Sequence, residues 1–83
     1  MTESTITIYG TTWCGDCRRT MRFLDYLKVP YQWIDIDQDK DGEVFVFSVN
    51  QGMRSVPTIV FTDGSILVEP SNTKVAEKLG LPK

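Results

Sequence analysis

The chain has 83 residues, nine basic and eleven acidic side chains, a formal net charge of −2 and no histidine. A chain this short makes one domain, residues 1–83, with a thin core that buries roughly 60% of the surface the unfolded form exposes. Without a basic patch it is not expected to bind nucleic acid, and its longest apolar run, Val44-Phe45-Val46-Phe47, is far too short to span a bilayer.

Residues 1–5 lack a basic stretch followed by an apolar one. No signal peptide is expected, and the expected compartment is the cytoplasm. Thr5-Ile6-Thr7-Ile8-Tyr9 alternates β-branched and aromatic residues and reads as a strand. Residues 10–13 read as a loop. From Cys14 the period changes: Cys17, Met21, Leu24 and Leu27 fall on one helix face. Pro30 stops that helix at or before Val29. Residues 31–36 form a second strand, with Ile34 and Ile36 on one face and Tyr31, Trp33 and Asp35 on the other. Strand, helix and strand at this spacing predict a right-handed parallel unit.

Residues 44–49 have strand propensity. Yet Asp39 and Asp41 offer N-caps and Asn50-Gln51-Gly52 offers a stop, so a helix is expected. Thr58-Ile59-Val60-Phe61, the Asp63-Gly64 turn and Ile66-Leu67-Val68 read as a hairpin. Ser71 caps a last helix over residues 72–79, ended by Gly80 and Pro82. The order is βαβαββα. Phe45, Phe47 and Phe61 are assigned to the core, and Trp33 to the core or an exposed face. Asp37, Asp39 and Asp41-Gly42 resemble half of a calcium loop. Ser48 stands where that loop needs a bidentate glutamate, so the run reads as a solvated, helix-capping turn.

The two cysteines, Cys14 and Cys17, lie three positions apart. A bridge between them closes a tiny loop and constrains little of the unfolded chain. In a reducing compartment such a pair reads as catalytic or metal-binding before it reads as structural. Cys14 falls at a helix start, where unpaired backbone N–H groups and the positive helix end stabilise a thiolate. Cys17, one turn later, can attack a mixed disulfide formed on Cys14 and expel the substrate. Gly15 leaves room for a bulky disulfide. Asp16 brings a like charge, partly offset by Arg18 and Arg19, and is expected to make the pair more reducing. The competing reading makes Cys14 and Cys17 two ligands of a metal site that only carboxylates could complete. Pro57 starts a strand and cannot donate a ladder hydrogen bond there. Its peptide bond is cis or that of a simple strand-opening proline.

Together these pieces resemble the glutaredoxin branch of the thioredoxin superfamily over almost the whole chain. Within it they look most like mycoredoxins, the mycothiol-linked relatives of actinobacteria. The shared stretches are Thr11-Thr12-Trp13-Cys14-Gly15-Asp16-Cys17, Ser48-Val49-Asn50-Gln51-Gly52, Val56-Pro57-Thr58, Asp63-Gly64 and Pro70-Ser71. The resemblance implies an α/β, thioredoxin-like fold with a four-stranded mixed sheet flanked by helices. It implies a thiol–disulfide oxidoreductase with Cys14 as nucleophile and Cys17 as resolving thiol. Pro57 would be a cis-proline beside the sulfurs, Val56 would lend its backbone to an extended substrate, and Trp13 would wall the site. Trp13, Gly15, Asp16, Val56, Pro57 and Ser71 make the expected substrate-binding set. Glutathione-using relatives carry a basic residue where Thr11 stands and a Gly-Gly-x-Asp turn near Glu69-Pro70-Ser71-Asn72. Both departures point away from glutathione, and the resemblance to mycoredoxins implies a low-molecular-weight thiol of mycothiol type as co-substrate, with no tightly bound cofactor. Arg54 is read as a surface charge, with substrate contact as its other role. The expected partners are disulfide-containing proteins or small-thiol mixed disulfides and a reductase system, with the chain a monomer. The competing function is an iron–sulfur or metal-carrying module that uses Cys14 as a ligand.

Overall fold

A computed structural model describes residues 5–80. Met1 to Ser4, on which the leader expectation rests, and Pro82, the expected helix stop, lie outside the described residues. The elements are β1 (Ile6–Gly10), α1 (Gly15–Leu27), β2 (Tyr31–Asp35), α2 (Lys40–Val49), β3 (Thr58–Val60), β4 (Ile66–Val68) and α3 (Asn72–Leu79). The sheet order is β2-β1-β3-β4. β1 runs parallel to β2 and antiparallel to β3, and β3 runs antiparallel to β4.

Side chains of a strand alternate between its faces, and the register sorts the molecule into layers. Ile8 lies between Trp33 and Ile59. On that face Ile6, Ile8 and Ile59 meet Leu24 of α1 and Val75 of α3, with Phe61, and all six are buried. Tyr9, paired with Ile34, points to the opposite face, where α2 packs. Gly42, in the first turn of α2, permits this approach, because a Cβ there would come within 2.8 Å of the Ile34 side chain. The Tyr9 and Phe45 rings then sit 4.7 Å apart, tilted.

The helix over residues 40–49 forms despite its β-branched and aromatic run. Asp39 caps it, its carboxylate accepting from the Gly42 N–H at 2.8 Å, and the buried Val46 anchors its inner face. Phe45 and Phe47 are only half-buried, which corrects their assignment to the core. On a single helix covering a narrow sheet only one stripe is fully enclosed, and Gly42 and Val46, four apart, occupy it. Phe61 is buried as expected, and Trp33 packs half-buried against the core. Gly10 belongs to β1 rather than to the loop after it, because its carbonyl accepts from the Ile36 N–H at 2.9 Å.

α1 ends at Lys28, which takes a left-handed conformation and returns its N–H to Leu24 and Asp25. Ser71 caps α3, its hydroxyl accepting from the Lys74 N–H at 3.1 Å, and Gly80 closes it at positive φ. Among the described residues no helix is long and apolar enough to cross a membrane.

Candidate active site

β1 ends where β2 turns away toward α2, and the chain passes through residues 11–14 into α1. Cys14 is the N-cap of α1, in extended conformation. Its N–H donates to the Thr11 carbonyl at 3.3 Å, and its carbonyl accepts from the Arg18 N–H at 3.2 Å. Instead of a serine or aspartate oxygen, a sulfur meets the free N–H groups of the first turn. The Cys17 N–H donates to Cys14 Sγ at 3.1 Å.

The two thiols are free and stand in different surroundings. Cys14 is half-buried and Cys17 is fully buried, at 0% exposure. An incoming disulfide can reach Cys14 and not Cys17. Burial first, then the hydrogen bond with Cys14, push the Cys17 thiol up to about 12, against a lowering contribution from the Thr11 backbone. The negative charges of Cys14 and Asp16 push it in the same upward direction. Cys17 is therefore protonated throughout the neutral range.

Facing the cysteines is the turn before β3. The Val56–Pro57 bond is cis. Cys14 Sγ donates a long contact to the Val56 carbonyl, 3.9 Å away. Pro57 is buried, and its carbonyl accepts from the Glu69 N–H at 2.8 Å. The turn is braced from α2. Asn50 donates to the Val46 carbonyl at 2.9 Å and to Thr58 Oγ1 at 3.1 Å, and that hydroxyl donates to the Ser55 carbonyl at 2.8 Å.

The expected site residues thus separate into groups. Cys14, Cys17, Val56 and Pro57 are brought together. Gly15 is exposed, and a Cβ there would meet no protein atom within 4 Å. Asp16 is exposed and pairs with Arg19 at 3.5 Å. Arg18 does not share that role; its guanidinium donates to the Thr12 carbonyl at 2.8 Å. Trp13 is 65% exposed, and its indole N–H donates to Asp37 at 3.0 Å. Ser71 stays at the start of α3, its hydroxyl engaged in the cap, and no hydrogen bond among the described residues joins it to either sulfur. Arg19 links that helix start to α1, donating to Asn72 at 2.8 Å and to the Pro70 carbonyl at 3.3 Å.

Arg54 is neither a free surface charge nor a free cation for a substrate. Its guanidinium pairs with Asp37 and, at 2.9 Å, with Glu43. These bonds, and for Asp37 also the Trp13 indole, hold both carboxyls below the usual range. Asp37 lies in the expected exposed turn and Asp39 is the expected helix cap, and Asp37 in addition ties Trp13 to Arg54 at the rim of the site. This added role of Asp37 is not visible in local spacing, because Trp13 and Asp37 are 24 residues apart. Among the described residues no group of three or more His, Cys, Asp or Glu side chains could hold a metal ion. A cleft of about 370 Å³ opens at the other end of β1, between Ile6, Val29, Phe61 and Leu79. It holds no cysteine.

A half-buried sulfur on a helix cap, a buried sulfur one turn on and a cis-proline turn opposite describe a disulfide-exchange site, and comparison with known proteins names the family. The glutaredoxin profile matches residues 6–66. The chain belongs to the glutaredoxin family. It is 43% identical over 79 residues to a candidate glutaredoxin of Mycobacterium tuberculosis, covering 95% of this chain and 94% of that one. It is 41% identical over 76 residues to Mycoredoxin 1 of Corynebacterium glutamicum, covering 92% and 94%. The crystal structure of a glutaredoxin from Archaeoglobus fulgidus superposes with a TM-score of 0.74 at 26% identity, covering 92% of this chain and 86% of that one. This glutaredoxin is accordingly a thiol–disulfide oxidoreductase of thioredoxin-like fold.

Proposed function

We propose that this glutaredoxin reduces mixed disulfides between proteins and a low-molecular-weight thiol, and protein disulfides, through Cys14 and Cys17. The observation that carries the reading is the asymmetry of the pair: an accessible Cys14 sulfur bonded by the Cys17 N–H at 3.1 Å, over a buried Cys17 thiol. Cys14 attacks the substrate disulfide, forming a Cys14 mixed disulfide and releasing one thiol. A second small thiol, or Cys17, then attacks Cys14 and frees the remainder. Val56 offers its backbone to an extended substrate, Pro57 shapes that edge, Trp13, Gly15 and Asp16 line the approach, and Ser71 stands at the far rim on α3.

The co-substrate in this reading is a thiol of mycothiol type rather than glutathione. Support comes from 41% identity to a mycoredoxin, from the buried Thr11 where a basic residue would meet a glutathione carboxylate, and from the pairing of Arg54 with two carboxylates. The protein then works in the cytoplasm as a monomer and is recharged by a reductase of the same thiol pool.

The test offers wild type, Cys14→Ser and Cys17→Ser a panel of mixed disulfides carrying mycothiol, glutathione, bacillithiol or coenzyme A, and measures released thiol. Wild type and Cys17→Ser should both turn over the mycothiol substrate, about tenfold faster than the glutathione one. Only wild type should reduce a protein disulfide. Activity retained in Cys14→Ser, or no turnover by any protein, would refute the reading.

A further inference from the structure

Gly10 closes β1 beneath Cys17. A Cβ built on Gly10 would stand 2.5 Å from Cys17 Sγ, and 2.9 and 3.0 Å from two atoms of the Trp33 ring. Backbone shape does not account for a glycine here. The glycines with positive φ are Gly52, Gly64 and Gly80, and glycine weakens a strand interior. What occupies the place of the missing side chain is a sulfur and an indole edge. Trp33 lies beside Ile8 in the adjacent strand, so its ring walls the space from the β2 side. Cys17 is fully buried in it.

We propose that Gly10 and Trp33 form a notch that stores the reduced Cys17 sulfur and so sets how readily the Cys14–Cys17 disulfide forms. This rests on the reading of Cys17 as resolving thiol. In the resolving step Cys17 gives up its proton and attacks Cys14 Sγ of the mixed disulfide. The bond between Cys14 and the substrate sulfur breaks, its electron pair leaves with the substrate thiolate, and that thiolate takes up a proton. Two protein sulfurs are oxidised as the two sulfurs of the original substrate disulfide are reduced. The new bond needs the sulfurs to close to about 2.05 Å. Cys14 Sγ is held on the Val56 side of the cap, so Cys17 Sγ leaves the Gly10 surface to reach it. The notch favours the dithiol. Filling it disfavours the dithiol and leaves the disulfide untouched. Gly10 is thus a positioning residue for the resolving sulfur.

The experiment equilibrates wild type, Gly10→Ala, and Gly10→Ala with Trp33→Phe against graded ratios of reduced to oxidised dithiothreitol. Mass spectrometry after alkylation counts the Cys14–Cys17 disulfide. Trp33→Phe clears the ring side for the methyl group but leaves the 2.5 Å sulfur contact, so the double variant carries the comparison if the single one fails to fold. Both variants should shift the equilibrium toward the disulfide about fivefold or more. Thermal stability lowered equally in both redox forms, with the equilibrium unmoved, overturns the proposal. A wild type that forms no Cys14–Cys17 disulfide at any ratio refutes the dithiol reading itself, which separates the two failures.

Discussion

Two cysteines one helical turn apart share an element and little else. Cys14 uses its sulfur as a cap atom and faces outward. Cys17 lies under it with no exposure, its thiol pushed up to about 12 by burial and by the neighbouring sulfur. In the unfolded chain that thiol titrates near 9.0. The folded value is the higher one, so the stability linked to this proton is complete below pH 9 and is lost as pH rises toward 12. Reduced wild type should therefore lose stability relative to Cys17→Ala above pH 9, by at most about 1.4 kcal/mol per pH unit. Urea unfolding of both proteins across that range checks it; parallel curves would mean that Cys17 titrates normally in the fold.

At the scale of elements, the site stands where three loops meet, and side chains from distant parts of the chain tie them together. Trp13 precedes α1, Asp37 follows β2 and Arg54 precedes β3. A continuous path runs from the Trp13 indole through Asp37 to Arg54 and on to Glu43 in α2. Exposed ion pairs contribute little to stability, so the value of this path lies in where it holds the indole. Asp37→Ala should raise KM for a mixed disulfide about threefold to tenfold while leaving kcat within about twofold, as expected when ground-state positioning is lost. Steady-state kinetics decides it, and an equal fall in kcat and kcat/KM would contradict it. The depressed carboxyls of Asp37 and Glu43 keep the path ionised through the neutral range, and it is lost only as pH falls below ordinary carboxylate values.

The whole molecule is small enough that its core and its site share residues. Leu24 of α1 and Val75 of α3 close on Ile8 and Ile59, and none of the four is exposed. The helix that presents Cys14 is thus anchored nearly three turns further on by the main cluster. Leu24→Ala should cost about 2–5 kcal/mol, a large share of the roughly 5–15 kcal/mol that holds such a domain together. Urea unfolding should show it, with activity lost in step with the folded fraction. Stability preserved within about 0.5 kcal/mol would mean that α1 is held elsewhere.

The order βαβαββα, the helix start at Cys14, the Ser71 cap and the Asp63-Gly64 turn were legible in the sequence, because each depends on local chemistry. Even the helix over residues 40–49 was legible against its own β-propensity, since Asp39 supplied a cap within reach. Other features required tertiary structure. Phe45 and Phe47 are half-buried because a lone helix encloses only one stripe. Arg54 looked like a surface charge until Asp37 and Glu43, 17 and 11 residues away, came into contact with it. Gly10 looked like a loop residue until Cys17 and Trp33 filled the place of its side chain. Caps, turns and periodicity act within a few residues and are written in the sequence. Burial, ion pairing and the space left for a sulfur arise where distant segments converge, and only packing decides them.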